Sequence, residues 1–255
     1  MNHIATALAA ACILAPIAAS AQVNFQKSGY YVALGDSVAA GEGAMPVTTV
    51  GYAYQLYERG AFGTKQEMDF SNIAIRGGRS WDLLNSQVPQ VLCAEPAQRP
   101  TVITITAGAN DFIRGDGNVI AIASRVVMSV NQLLNNDNGY AVPVLDPFTR
   151  QPCRRLQNVT ILVSNYYRIP HPDPAVAAQF DAAVRGFDQV LRMGLARLHV
   201  PGGSRVGVVD LYLRSLEHEV NFVLTKGSGG FDIHPTNLGH TLIARAFQEA
   251  WLSLQ

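Results

Sequence analysis

Short apolar runs rich in β-branched residues recur along the chain and alternate with longer segments of helical periodicity. The runs cover residues 30–34, 70–75, 101–106, 159–163 and 205–209. They are apolar at nearly every position rather than at every second one, which is typical of strands buried on both faces of a parallel sheet. The pattern therefore predicts a five-stranded parallel sheet.

Helical patterns lie between and after these strands. They cover residues 52–59, 80–92, 119–134, 175–199 and 237–253. Thr236 or Asn237 is available to cap the last helix, directly after Pro235. Strands that alternate with helices predict an α/β protein, a doubly wound three-layer α/β/α sandwich with right-handed crossovers.

Two inserts interrupt the alternation of strands and helices. Residues 135–157 are rich in Asn, Pro and Asp and predict a long loop. Residues 212–231 end in the glycine-rich sequence KGSGG at 226–230, which predicts a flexible stretch. No domain boundary is visible, and the chain is long enough for one large globular domain, so residues 22–255 are expected to form a single domain.

The first 21 residues are expected to be a signal peptide. Residues 4–19 are apolar except for Thr6, and Ala19-Ser20-Ala21 has the small-x-small pattern that signal peptidase cleaves. The segment contains Pro16 and falls short of the roughly 20 apolar residues of a spanning helix. We therefore expect a secreted or periplasmic protein, cleaved after Ala21 and without a transmembrane span. A cytoplasmic protein that keeps these residues is the alternative.

Charge and cysteine content limit the classes of partner and site. The 255 residues include 19 basic and 19 acidic side chains without basic clusters, which argues against nucleic acid as the partner. Cys93 and Cys153 remain once the leader is removed. They are too few for a structural zinc site and lack the short spacing of a redox pair. Outside the cytoplasm such a pair is expected to be oxidised to a disulfide, and two buried free thiols are the alternative.

Four polar or glycine-bearing clusters follow the predicted strands. They are GDS at 35–37, RGGRS at 76–80, GAND at 108–111 and DIH at 232–234. In open α/β sheets, ligands bind outside the carboxyl ends of the strands. We therefore expect one edge of the sheet to collect all four clusters.

These clusters contain the residue types that nucleophilic acyl transfer needs. The Ser37 hydroxyl needs a base, and a histidine such as His234 is the usual one. Asp232, two residues away, is placed to orient the imidazole from one turn before the last helix. An oxyanion would accept hydrogen bonds from the backbone N–H groups of Ser37, at a helix entrance, and Gly77, and from the Asn110 amide.

Each cluster alone also has an ordinary structural interpretation. Gly77-Gly78 suits a tight turn, Asn110-Asp111 suits an Asx turn, and Ser37 suits a helix cap. Their joint occurrence, in this order and at successive strand ends, favours the catalytic interpretation. The other histidines of the mature chain have no comparable motif residues beside them and are expected to be surface or packing residues: His171, His199, His218 and His240.

The combined motifs resemble the SGNH hydrolases, also called GDSL esterases and lipases, over essentially all of the mature sequence. The family's blocks match residues 35–37, 72–77, 108–111 and 232–235. The resemblance implies a flavodoxin-like sandwich with strand order 2-1-3-4-5. With that order, Cys93 and Cys153 precede neighbouring strands at the edge opposite the active site, which supports a structural disulfide.

The resemblance also implies a mechanism through an acyl-enzyme, with neither a metal nor an organic cofactor. It assigns Ser37 as the nucleophile, and His234 and Asp232 as the rest of a catalytic triad. Ser37, Gly77 and Asn110 take the positions of the oxyanion hole. Two departures from the family pattern are Val38 in place of leucine and the arginine of Gly78-Arg79. We expect Val38 to affect packing rather than chemistry.

The expected function is that of a secreted serine esterase or lipase acting on a small-molecule or lipid ester. Phe112-Ile113 and residues 166–169 place apolar side chains at the active edge, which favours an acyl chain. A carbohydrate O-acetyl esterase is the nearest alternative, with Trp81 as a stacking surface for a sugar. A non-catalytic binding protein on the same scaffold is an alternative from another class.

Overall fold

Strands and helices alternate along the chain, as the apolar pattern predicts. The computed structural model describes residues 27–94, 99–171, 173–218, 222–225 and 231–255. The expected signal peptide, residues 1–21, and the glycine-rich residues 226–230 lie outside the described residues.

The five central strands fall close to the predicted positions, and a further short pair of strands follows them. The strands are β1 (Gly29–Gly35), β2 (Met68–Asn72), β3 (Val102–Thr106), β4 (Thr160–Ser164), β5 (Arg205–Val209), β6 (Val223–Thr225) and β7 (Phe231–Pro235). The helices are α1 (Val47–Val50), α2 (Tyr52–Glu58), α3 (Ser80–Asp82), α4 (Val88–Leu92), α5 (Ala109–Ile113), α6 (Val119–Asn135), α7 (Pro174–Leu195), α8 (Leu211–Leu216) and α9 (Asn237–Ser253). A π-helical turn, Leu83–Gln87, joins α3 to α4.

The five long strands form one parallel sheet in the order β2-β1-β3-β4-β5. Every residue of β3 and β4 is buried. This burial explains their apolar sequence, because helices cover both faces of the sheet. The predicted fold class, strand number and strand order are confirmed.

Alternate residues of β1 enter the two hydrophobic cores on opposite faces of the sheet. Val32 and Leu34 pack in the core that contains apolar residues of α4, α6 and α7. Tyr31 and Ala33 pack in the core that contains residues of α2 and α9. The period of two along a strand makes β1 the central element that both layers share.

Two predicted elements, β2 and α7, have bounds that differ from the structure by more than one residue. β2 begins at Met68 rather than residue 70, because it pairs with β1 from Gly29 onward. It ends at Asn72 rather than residue 75, although the N–H groups of Ile73 and Ile75 still donate to β1 carbonyls. α7 ends at Leu195, four residues before the predicted end.

The second insert contains regular structure that its composition did not predict. α8 begins one residue before it and runs into it, and at its end β6 pairs with β7 in an antiparallel hairpin. Asp232 and His234 therefore lie on a strand rather than on a turn before the last helix. Residues two apart on a strand face the same side, which brings both side chains together without a turn.

Cys93 and Cys153 form a disulfide, with the two Sγ atoms 2.05 Å apart. Cys93 follows α4 and Cys153 precedes β4, so the bond lies at the edge opposite the carboxyl ends of the strands. The predicted pairing is confirmed. Closing a segment with a sequence separation of 60 stabilises the fold by about 4 kcal/mol in the chain-entropy picture.

Candidate active site

Ser37 lies two residues after the end of β1 and is almost completely buried. The segment that follows is a series of turns, in which the N–H of Glu42 donates to the Ser37 carbonyl at 2.8 Å. The expected helix entrance is therefore wrong. Gly41 and Gly43 adopt left-handed φ values of 85° and 92°, which interrupt a helix. A Cβ on Gly43 would lie 2.3 Å from the Pro235 carbonyl oxygen, so this glycine lets the segment approach β7.

The structure brings Ser37, His234 and Asp232 into one hydrogen-bonded chain. His234 Nε2 lies 2.9 Å from Ser37 Oγ, and His234 Nδ1 lies 2.5 Å from Asp232 Oδ1. The Asp232 carboxylate also accepts the backbone N–H of His234 at 3.1 Å. A neutral imidazole protonated on Nδ1 satisfies both ring contacts, and its Nε2 is then ready to accept the Ser37 proton.

Glu42 is a second carboxylate beside His234, and the sequence motifs gave no sign of it. Its Oε2 lies 3.6 Å from His234 Nε2, on the side of the ring that faces Ser37. The turns after Ser37 place it there, because Glu42 is five residues further along and bonded back to Ser37. A carboxylate in this position would attract a positive charge on the ring by Coulombic attraction.

Two segments bring the expected oxyanion donors to the same edge. The Gly77 loop, residues 73–80, runs from the end of β2 to the first residue of α3, and the Asn110 loop, residues 107–111, runs from the end of β3 into α5. Gly77 has a left-handed φ of 69°, and an added Cβ would meet Arg114 Nη2 at 2.8 Å. Asn110 donates one N–H of its amide to the Gly78 carbonyl at 3.0 Å. Within the described part of the chain, the backbone N–H groups of Ser37 and Gly77 have no hydrogen-bond acceptor. Such N–H groups suit an anionic oxygen of a ligand.

Asp36, next to Ser37, is a fully buried acid. Its carboxyl accepts the hydroxyl of Tyr166 and the backbone N–H of Val38. Burial raises the pKa of Asp36 to about 6, and the two hydrogen bonds oppose part of that shift. Sequence analysis recognised Asp36 only as a motif residue, because Tyr166 is 130 positions away.

Replacing Asp36 by asparagine is expected to stabilise the fold more at pH 8 than at pH 4. The folded carboxyl keeps its proton to about pH 6, whereas its ordinary pKa is 3.8. The wild type therefore loses stability as pH rises through this window, by up to about 3 kcal/mol. Urea unfolding at both pH values measures the difference. Asp146→Asn is the control, and its effect on stability should depend on pH in the opposite direction. Hydrogen bonds from Thr149 and Phe148 lower the pKa of Asp146 instead of raising it.

His240 is a packing residue, as expected, although it lies close to the site. Its Nδ1 accepts the N–H of Tyr52 at 3.2 Å, and its Nε2 donates to the carbonyl of Glu42 at 2.9 Å. Burial lowers the pKa of His240 to about 4, so the ring is neutral at physiological pH. The ring supports the segment that follows Ser37.

An apolar cavity of about 40 Å³ lies beside the Asn110 loop. Ala109 and Phe112 of α5 form one side, Ile169 after β4 forms another, and Phe180 and Ala183 of α7 close it. Residues 112–113 and 166–169 were expected to place apolar bulk at this edge, and members of both groups line the cavity. A larger cleft of about 510 Å³ lies around the disulfide at the opposite edge, away from Ser37.

A parallel sheet in the order 2-1-3-4-5, with helices on both faces and Ser37 at the end of its first strand, is the fold of the SGNH hydrolases. The chain belongs to the GDSL-like lipase/acylhydrolase family, whose model matches residues 33–242. It is accordingly a hydrolase of that family. No curated protein matches the sequence.

Solved structures of low sequence identity share the fold. A member of the lipolytic protein G-D-S-L family from Veillonella parvula has a TM-score of 0.57 at 16% identity, over 88% of this chain and 98% of that one. An extracellular lipase from Streptomyces rimosus has a TM-score of 0.54 at 19% identity, over 87% and 99%. A carbohydrate esterase of family 3 from Talaromyces cellulolyticus has a TM-score of 0.55 at 15% identity, over 89% and 97%.

Proposed function

We propose that the protein hydrolyses carboxylic esters through an acyl-enzyme formed on Ser37. The hydrogen-bonded chain from Asp232 through His234 to Ser37 carries this proposal, because it has the contacts that activate a serine hydroxyl. The family supports it at the level of a hydrolase.

In the acylation step, Ser37 Oγ attacks the ester carbonyl carbon while His234 Nε2 takes the hydroxyl proton. Asp232 holds the ring and stabilises its positive charge, and Glu42 adds a second negative charge near Nε2. His234 then returns the proton to the departing alkoxide, and the alcohol leaves. In deacylation, water gives its proton to His234 and attacks the acyl carbon, and Ser37 regains its proton.

The carbonyl oxygen becomes negatively charged in both tetrahedral intermediates. In this proposal it accepts the backbone N–H groups of Ser37 and Gly77 and the second N–H of the Asn110 amide. Donors that are held in place before the reaction stabilise such an intermediate without reorganisation.

The acyl group is proposed to extend from Ser37 towards the apolar cavity beside Asn110. The cavity walls are almost entirely apolar, which suits an alkyl chain of the acid and not a sugar. Each CH₂ group that enters such a cavity contributes about 0.8 kcal/mol, or about fourfold in affinity.

Nitrophenyl esters of increasing acyl length test this assignment. We expect kcat/KM to rise from acetyl to medium-length acyl esters. Ala183→Leu fills the cavity and is expected to lower the octanoyl-to-acetyl ratio of kcat/KM about tenfold or more, the equivalent of two buried CH₂ groups. The neighbouring Ala182→Leu is the matched control, because Ala182 is exposed and lies outside the cavity lining. An unchanged ratio in Ala183→Leu would exclude this cavity as the acyl site.

A carbohydrate O-acetyl esterase is the second candidate. The small volume of the cavity favours it, since an acetyl group needs little space. Trp81 is half exposed, but its ring lies over the Arg125 guanidinium, 4.9 Å from the ring centroid. One face of the ring is therefore already covered. Activity on acetyl esters alone, with acetylated sugars preferred to nitrophenyl acetate, would favour this candidate over the acyl esterase.

We also propose that the protein is exported. The small-x-small motif at Ala19–Ala21 and the Cys93–Cys153 disulfide both support an oxidising compartment. Among the described residues, no helix is both long and apolar enough to cross a membrane. The amino-terminal sequence of the mature protein tests the cleavage after Ala21.

A further inference from the structure

Arg125, in the first half of α6, contacts both loops that carry the proposed oxyanion donors. Its Nε donates to Ser80 Oγ at 2.6 Å, and its Nη2 donates to Asp111 Oδ1 at 3.1 Å. Ser80 is three residues after Gly77, and Asp111 directly follows Asn110. One buried guanidinium therefore lies behind both loops.

Ser80 and Asp111 also bind each other directly. The N–H and the hydroxyl of Ser80 each donate to an Asp111 carboxylate oxygen at 2.7 Å. The Asp111 side chain is 1% exposed, so Arg125 and Ser80 replace the water that this carboxylate loses on folding. Removal of the cation would leave a buried carboxylate without its counter-charge.

The outer side of the Arg125 guanidinium is held as well. Its Nη2 also donates to Asp116 Oδ2 at 2.7 Å, in the segment between α5 and α6. The Trp81 ring, on α3, lies over its face. Contacts along its edge and on its face hold the planar Arg125 guanidinium in a single orientation. The flexible ammonium of a lysine in its place would not be held in this way.

We propose that Arg125 is a positioning residue for the oxyanion hole. It holds the Gly77 loop and the Asn110 loop at the separation at which both donors reach one oxygen atom. The inference rests on the proposed function, because it assumes that these two groups bind the oxyanion. Arg125 contacts no reacting atom in this account, so its loss acts through the placement of Gly77 and Asn110.

Loss of Arg125 is expected to lower kcat far more than it changes KM, because misplaced oxyanion donors weaken the transition state rather than substrate binding. We expect Arg125→Met to lower kcat about 10- to 100-fold, less than the 10²- to 10³-fold typical of deleting a donor. Arg125→Lys keeps the positive charge but loses the planar array of guanidinium N–H donors, so its kcat should lie between those of Arg125→Met and the wild type. Leu133→Ala, in the buried core eight residues along α6, controls for destabilisation without contact to either loop.

A double-mutant cycle with Asn110→Ala separates positioning from general destabilisation. If Arg125 acts through Asn110, Arg125→Met should cost less kcat once Asn110 is already absent. We expect its fold-loss of kcat in the Asn110→Ala background to be smaller than its fold-loss in the wild type, by a factor of about five or more. An equal factor in both backgrounds, or a kcat for Arg125→Met and Arg125→Lys no lower than that of Leu133→Ala, would overturn the positioning role.

The same experiment separates this inference from the function on which it rests. If Asn110→Ala lowers kcat and the Arg125 variants do not, the positioning role is wrong and the oxyanion hole stands. If Asn110→Ala itself leaves kcat unchanged, the oxyanion assignment is wrong, and the role of Arg125 fails with it.

Discussion

Replacing Ser37 by alanine is expected to lower ester hydrolysis by about 10⁴-fold or more. The substitution removes the only atom that forms the acyl-enzyme bond in the proposed mechanism. Ser37 is 4% exposed, and alanine fits its space without a new contact. The urea unfolding midpoint should therefore stay close to that of the wild type, while kcat for nitrophenyl esters falls to the background rate.

Ser215→Ala is the matched control for the loss of a buried hydroxyl. Ser215 is 1% exposed and lies on α8, and its hydroxyl bonds only to backbone groups of Tyr212 and Arg168 in the contacts described. We expect this variant to keep nearly wild-type turnover. Substantial esterase activity in folded Ser37→Ala would rule out Ser37 as the nucleophile.

Replacing Asp232 by asparagine is expected to cost about 10³- to 10⁴-fold in kcat with little change in the fold. The side-chain amide introduced by Asp232→Asn would donate to His234 Nδ1, so the ring would carry its proton on Nε2. That nitrogen lies 2.9 Å from Ser37 Oγ and would no longer accept the hydroxyl proton. Steady-state kinetics near neutral pH measure the loss.

Glu42→Gln provides the informative comparison, because Glu42 is the other carboxylate beside His234. It lies 3.6 Å from Nε2, whereas Asp232 lies 2.5 Å from Nδ1. Glu42 contributes only a partly screened charge, worth about tenfold or less in kcat. A larger loss of kcat in Glu42→Gln than in Asp232→Asn would contradict this account, because it would mean that Glu42 and not Asp232 orients His234.

The sheet was predictable because its strands are buried on both faces and therefore apolar at nearly every position. The candidate triad was predictable for a different reason, since few residue types provide a nucleophile, a base and an orienting acid. The topology expected of a parallel sheet then predicted that Ser37 and the Asn110 cluster lie at one edge. The short spacing of Asp232 and His234 indicated their partnership, although the prediction placed them on a turn and the structure places them on β7.

The supporting groups were not predictable, because their roles depend on partners far away in the chain. Asp36 is a buried acid only because Tyr166 and the core close over it. In the sequence, Arg125 is one polar position on an amphipathic helix, and only the fold brings Ser80 and Asp111 into contact with it. The glycine-rich end of the second insert likewise obscured the hairpin that carries the histidine.

Covalent labelling with a fluorophosphonate tests the central claim most directly, because the reagent phosphonylates only an activated serine. The folded wild-type protein should gain one phosphonyl group, located by peptide mass spectrometry on Ser37, and should lose its esterase activity in proportion. Ser37→Ala should remain unlabelled. Absence of labelling in the folded wild type, or labelling of a different residue together with loss of activity, would contradict the account and favour a non-catalytic protein or another nucleophile.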